Sequence, residues 1–150
     1  MEQQANIKAT GELVIKHFDK TGKLLQTKKV KNLVVTTGLF HIAARMKAAG
    51  APNQMSHMAL GAGTATPSLS DTALGSQLGV TALSLAGGNV VNNAITYEAT
   101  FGAGVATGAV TEAGIFNASS AGVMLCRTTF PVINKGADDS LAISWVVSIS

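Results

Sequence analysis

Apolar and polar residues alternate along most of this chain, in short runs separated by clusters of Gly, Asn, Ser and Asp. Two of these runs, residues 10–18 and 23–35, flank the polar turn Asp19-Lys20-Thr21-Gly22, an arrangement that predicts an N-terminal β-hairpin. Six later runs predict further strands, at residues 56–60, 80–86, 90–101, 109–117, 122–130 and 140–149. The last run carries the single tryptophan, Trp145, which we expect to be largely buried among its apolar neighbours.

One segment departs from this alternation. Between residues 39 and 46 the apolar side chains recur at the spacing of one helix face, which predicts an α-helix at about 37–49. Thr36 or Thr37 can cap its start, and Gly50 followed by Pro52 marks its end. The whole pattern predicts a mainly β protein, with a β-sandwich or jelly-roll-like body, one helix and an N-terminal β-hairpin.

The composition indicates a folded chain with an unusually neutral surface. Its 150 residues suffice for a single domain, in which residues 1–35 form a basic N-terminal hairpin or arm and residues 36–150 form the helix and the sandwich body. Charged residues make up 13% of the chain, about half the usual share. A neutral surface is poorly solvated, so we expect partners to cover part of it and the chain to form a homo-oligomer.

Cysteine usage and hydropathy bear on the compartment. Cys126 is the only cysteine, so no intrachain disulfide is possible, and its apolar neighbours in sequence predict a buried thiol. No apolar run approaches the roughly 18 residues of a membrane-spanning helix, and the first residues lack a signal-peptide pattern. We expect a protein that is made in the cytoplasm and does not cross a membrane.

Charge is distributed unevenly along the chain. Residues 1–50 hold nine Lys or Arg and three acidic residues, a net charge of +6, whereas residues 51–150 hold two and five, a net charge of −3. A basic end suggests docking on a negatively charged surface. The alternative is that the lysines only keep a free edge strand from aggregating. The sequence leaves both interpretations open.

Residues that could support catalysis are sparse. His17, His41 and His57 have no Cys, His or acidic residue at metal-ligand spacing, and no nucleophile motif is present. Glu98 and Glu112 both lie in predicted strands, which leaves a sugar-cleaving carboxylate pair as the one enzymatic arrangement to consider. The basic hairpin matches no nucleic-acid-binding module. We expect no enzymatic activity, cofactor, metal, small-molecule substrate or nucleic-acid partner.

Three segments together resemble a known class of protein. They are residues 31–39, residues 58–74, and residues 111–118 followed by 124–127 and the closing strand at 143–147. The most specific parts are L-G-x-G-T-x-x-P-S-x-S-D-T-A-L at 60–74 and T-E-A-G-I-F-N at 111–117. This order, over roughly residues 28–149, resembles small structural proteins of tailed bacteriophages, which include head decoration (cement) proteins and tail-associated or fibre-base proteins.

The resemblance implies a virion structural protein and brings no catalytic residues with it. A compact domain without a coiled coil or fibre repeat favours a head decoration protein that binds the major capsid protein on the capsid exterior and ties capsomers together. The alternative is a tail, baseplate or fibre-adaptor protein that contacts tail or portal-associated proteins. A glycan depolymerase is a third and weaker hypothesis.

Five residues are candidates for partner contacts. By the two-residue period of a strand, Lys29 and Lys31 share one face while Lys28 lies opposite. Lys23 belongs to the same basic stretch beside the turn. Ile115 and Phe116 are adjacent, so one is expected to face the core and the other outward. We take Phe116 as the candidate for a subunit contact.

Overall fold

A computed structural model describes residues 8–47 and 49–150 of the chain. This part of the chain forms ten elements: β1 (Ala9–Phe18), β2 (Leu24–Val34), α1 (Thr36–Ala44), β3 (His57–Gly61), β4 (Gln77–Ala82), β5 (Asn89–Val91), β6 (Ala94–Phe101), β7 (Gly108–Phe116), β8 (Met124–Lys135) and β9 (Ser140–Ile149). The prediction of a mainly β protein with an N-terminal hairpin and one helix is confirmed.

The strands form one antiparallel sheet in the order β4-β3-β7-β8-β2-β1-β9-β6-β5. This sheet curls strongly and folds over itself into two layers. Where its ends approach each other, the Ser84 N–H donates to the Glu98 carbonyl at 2.8 Å. The result is a sandwich-like body whose two layers enclose the core.

Strand β2 connects the two layers. It pairs with β1 from Leu24 to Asn32, but with β8 only through Leu33 and Val34. Strands β2, β1, β9, β6 and β5 therefore form one layer, and β8, β7, β3 and β4 form the other. Before Leu33, β2 and β8 diverge, while β1 stays paired with β9 along its whole length and both hairpin strands still contribute to the core shared with the second layer.

The core between the layers has the alternation expected from the sequence. In β9, every second residue from Leu141 to Val147 is buried, and Trp145 is fully enclosed at 0% exposure, which confirms the prediction for this residue. Leu13 and Ile15 of β1 pack in the same cluster. Cys126 is a buried free thiol, as predicted, and burial raises its pKa far above the usual range.

The helix differs from its prediction in length and orientation. It spans Thr36–Ala44 instead of 37–49, and the chain turns away at Arg45, whose guanidinium donates to the Pro52 carbonyl at 2.8 Å. The predicted apolar face is not the buried one, because the buried helix residues are Gly38 and His41. Gly38 lies so close to the Leu125 backbone that any larger side chain would overlap it. This close approach fixes which side of the helix faces the sheet.

Several strand boundaries also differ. The predicted strand at 90–101 is a hairpin of β5 and β6, since Asn92 adopts a left-handed conformation (φ 54°) at the turn. Strand β4 ends at Ala82, earlier than the predicted 86, because the chain then turns toward β6. Strand β8 continues to Lys135 across Pro131, a residue that an unpaired strand edge tolerates.

Candidate functional site

The predicted lysines occupy both faces of the hairpin. Lys29 and Lys31 are exposed on its outer face, while Lys28 is half-buried on the inner face, opposite Ile15. The Lys29 ammonium lies 3.2 Å from the Glu12 carboxylate, and the two side chains are 69% and 43% exposed. An ion pair this open to water adds little stability, so Lys29 remains free to change partners.

Lys23 was wrongly predicted to belong to this strand. It lies in the turn before β2, and its backbone N–H donates to the Asp19 carboxylate at 3.0 Å. Asp19 also accepts from the N–H and hydroxyl of Thr21, and these hydrogen bonds, that of the hydroxyl first, lower its pKa. Gly22 provides the positive φ of 84° that closes the turn. The hairpin tip is therefore held in one conformation.

The turn end of the hairpin contacts the body through His17. This buried side chain contacts Asp139 through Nε2 at 2.9 Å and Gln26 through Nδ1 at 3.1 Å. Asp139 also accepts from the Gly136 N–H at 2.7 Å. The hydrogen bond from His17, followed by that from Gly136, lowers the pKa of Asp139. These contacts connect β1 and β2 to the turn before β9.

A buried ionic network lies in the second layer. Arg127, on β8, contacts Glu112 of β7 at 3.5 Å and Asp71 of the loop between β3 and β4 at 3.0 Å. Its guanidinium also donates to the Ala65 carbonyl at 3.0 Å. Glu112 is 0% exposed and accepts weakly from the Ser76 N–H at 3.5 Å. The network holds the loop at 62–76 against the sheet.

Glycines make room for the Glu112 side chain. A Cβ on Gly63 would overlap the Glu112 carboxylate, and one on Gly61 would lie 2.9 Å from its Cγ. Gly75 approaches the same carboxylate from the other end of the loop. Glu112 and the loop at 62–76 come from the two most specific motif segments, which therefore meet in space around one buried carboxylate.

The sequence did not predict this network, although its members lay in the quoted motifs. The available signal was the placement of two charged residues, Glu112 and Arg127, inside otherwise apolar strands. Buried charges are normally paired. Glu98, the proposed carboxylate partner of Glu112, is instead exposed on β6 opposite Ser144.

The prediction that Ile115 or Phe116 faces outward is wrong. Both are buried, with exposures of 0% and 8%. The alternation itself holds, since Ile115 packs in the main core while Phe116 faces the other side of the sheet with Gly114, but the loop at 62–76 covers that side too. Phe116 packs in a small second cluster, and Leu74 of the loop at 62–76, the covering loop, packs against the same cluster. Phe116 is therefore a core residue and does not form a subunit contact from this position.

Apolar side chains are exposed on both sides of α1. Phe40 is 69% exposed and lines a shallow pocket with Val123, while Val90 is 62% exposed and lines a groove of about 360 Å³. His41 lines both depressions, and burial, followed by the nearby charge of Arg45, lowers its pKa. We call Phe40, His41, Val90 and Val123 the helix surface. The sequence analysis did not identify it as a contact surface.

The described ranges, 8–47 and 49–150, lack two other features. No group of three or more His, Cys, Asp or Glu side chains there is placed to hold a metal ion. No helix in these ranges is long and apolar enough to cross a membrane. Comparison with models of protein families, with curated protein sequences and with solved structures found no match to this chain.

Proposed function

We propose that this chain is a structural protein of a tailed-bacteriophage virion and, within that class, a head decoration protein. It would bind the capsid exterior through the major capsid protein and stabilise contacts between capsomers. The observation that carries this proposal is the meeting of the two most specific motif segments around Glu112. There the motif residues hold a loop in place, a role that concerns architecture and involves no reaction centre.

The helix surface supports a function in assembly. Phe40 and Val90 are large apolar side chains left in water, and within the helix surface His41 has a pKa below its ordinary value. The apolar side chains of this surface on two or more copies can associate, provided that the Arg45 cations lining the same groove stay in water. Stable contacts of this kind bury on the order of 2,000 Å². We therefore assign the homo-oligomer contact to the helix surface.

The hairpin supports a second, different contact. Its outer-face lysines would meet like charges if two hairpins paired, so a second copy is a poor partner for them. A shell surface rich in Asp and Glu fits them better. Each exposed pair contributes about 0–1 kcal/mol, and its main effects are on the rate and register of association.

Replacing Phe40 tests the self-contact. Phe40→Ser should weaken self-association by at least about tenfold, because truncating a central aromatic contact commonly costs 1–2 kcal/mol or more. Leu69→Ser is the matched control, since Leu69 is also exposed, at 54%, but lies on the covering loop. Sedimentation over a range of concentrations measures both. Equal effects of the two variants, or a wild-type chain that stays monomeric, would count against the helix surface.

The location in the particle tests the function itself. A cryo-EM map of the parent virion should place many copies over the capsid exterior. Copies confined to the tail or baseplate would replace the decoration role with the tail role. Cleavage of capsule or cell-wall glycan by the purified protein would overturn a purely structural function.

A further inference from the structure

We propose that the free edge of β2, from Thr27 to Lys31, binds an extended strand of another protein that carries acidic side chains at alternate positions. The identity of that protein as a shell component rests on the proposed function. The capacity to bind such a strand rests only on the geometry of the hairpin.

The backbone of β2 presents hydrogen-bonding groups along this edge. In an antiparallel strand, the N–H and C=O of one residue point to the same side, and the side alternates along the chain. The Val35 N–H and the Lys31 carbonyl both point toward β8, where Lys31 accepts from the Thr128 hydroxyl at 2.8 Å. By alternation, the backbone groups of Lys29 and Thr27 point to that side too.

No strand of the described part of the chain pairs with this edge. The ladder between β2 and β8 covers only Leu33 and Val34. Beyond it, β8 diverges while it remains paired with β7 as far as Lys135. The opposite edge of β2 is fully occupied by β1. Because the Lys31 carbonyl already accepts from Thr128, the groups left for an incoming strand are those of Thr27 and Lys29 and the Lys31 N–H, which suffice for several ladder hydrogen bonds in the geometry of strand addition to a sheet edge.

The side chains specify the character of that strand. Lys29 and Lys31 stand on the outer face, and side chains of an added strand would lie about 4.5–5.5 Å from them. Acidic residues at alternate positions match this face. On the inner face, Val30 packs against the core, which favours a small apolar residue opposite it. The same lysines disfavour pairing of two hairpins, because like charges would face each other across the ladder.

A peptide probe tests strand binding apart from any particle. The probe is a nine-residue peptide of alternating Glu and Val with blocked ends, titrated into the ¹⁵N-labelled full chain at low salt. We expect the amide resonances of Thr27 and Lys29 to shift and their hydrogen exchange to slow. A peptide with Gln in place of Glu should bind roughly tenfold more weakly, since it loses the ion pairs with the lysines.

Two substitutions of one residue separate backbone pairing from simple attraction. Thr27→Pro removes an N–H from the free edge without removing a hydrogen bond to β1, and it should abolish the shifts at Lys29. Thr27→Val keeps the N–H and should bind like wild type. Circular dichroism and the thermal midpoint establish whether both variants fold. If the Thr27→Pro chain does not fold, hydrogen exchange of the Thr27 and Lys29 amides in the wild-type chain, with and without peptide, tests backbone pairing instead.

Three outcomes of the peptide titrations would overturn the proposal. They are an absence of shifts at Thr27 and Lys29, equal binding of the Glu and Gln peptides, and equal binding by the Pro and Val variants. Shifts of Thr27 that depend on protein concentration without peptide would show that a second copy occupies the edge, which also overturns it. A failed peptide test combined with abundant copies on the capsid would leave the proposed function standing and remove only the strand-binding inference.

Discussion

The cations of the hairpin and the cation of the buried network behave in opposite ways. Lys29 is 69% exposed and its acidic neighbour Glu12 is 43% exposed, so water screens both. Arg127 is 3% exposed and contacts a carboxylate that is fully buried. Burial, more than the number of charges, decides the role of a charge in this chain. The buried charges hold a loop in place, and the exposed ones remain available to a partner.

The comparison also changes the meaning of the charge asymmetry. The sequence indicated an acidic body as a counterpart to the basic end. In the structure, Asp71 and Glu112 are paired with Arg127, and Asp139 is hydrogen-bonded to His17. Exposed acids without a side-chain partner in the described part of residues 51–150 are therefore few. The hairpin lysines find little complementary charge on their own chain, which is why we look for it on a different protein.

Removing the buried cation should have the largest effect. Arg127→Met leaves the Glu112 carboxylate buried without its partner, and such changes cost about 3–5 kcal/mol. Lys29→Met, which removes an exposed cation, should change the free energy of unfolding by less than about 1 kcal/mol. Urea unfolding measures both. Similar values for the two variants would erase the distinction between the two regions.

Filling the space around Glu112 should have the next largest effect. Gly63→Ala places a methyl group where the Glu112 carboxylate lies, and overpacking of this kind costs about 1–3 kcal/mol. Gly102→Ala is the matched control, since no atom lies within 4 Å of the added Cβ. The free energies of unfolding of both variants should be compared with wild type. A stable Gly63→Ala chain would mean that the loop does not need this close approach.

Acid should weaken the contact between the turn end of the hairpin and the body through Asp139. Its pKa in the folded state is lowered from the ordinary 3.8, mainly by the hydrogen bond from His17. The stabilisation is therefore complete above the ordinary pKa and is lost as the pH falls through the lowered one. Asp139→Asn should flatten this part of the stability profile, whereas Asp138→Asn, on an exposed neighbour, should leave it unchanged. Thermal midpoints measured from pH 5 downward provide the check.

The sequence predicted features that depend on neighbouring residues. The hairpin was found because its turn is closed by Asp19 and Gly22 within five residues, and Trp145 was placed in the core by strict alternation. The burial of Phe116 depends on Leu74 of the loop at 62–76, which packs over that face of β7 and is distant in sequence. The contacts of Arg127 with Glu112 and Asp71 bring together residues of two strands and a loop, which no local pattern specifies.

The same limit explains the helix. Its apolar residues share one face by their spacing, but the close approach of Gly38 to the backbone of Leu125 turns a different side toward the sheet. That contact is tertiary and leaves no trace in the helical periodicity. The exposed helix surface, and with it the candidate for self-association, therefore became visible only in the folded chain.

The most direct test of the account is the rate at which the chain binds undecorated capsids as salt is varied. Replacing Lys28, Lys29 and Lys31 with Gln should leave the thermal midpoint nearly unchanged, because these side chains are exposed or half-buried. The triple variant should bind more slowly at low salt, and its rate should depend less on salt than that of wild type. Binding at the wild-type rate at low salt would contradict the docking role and leave the lysines as guards of a free edge.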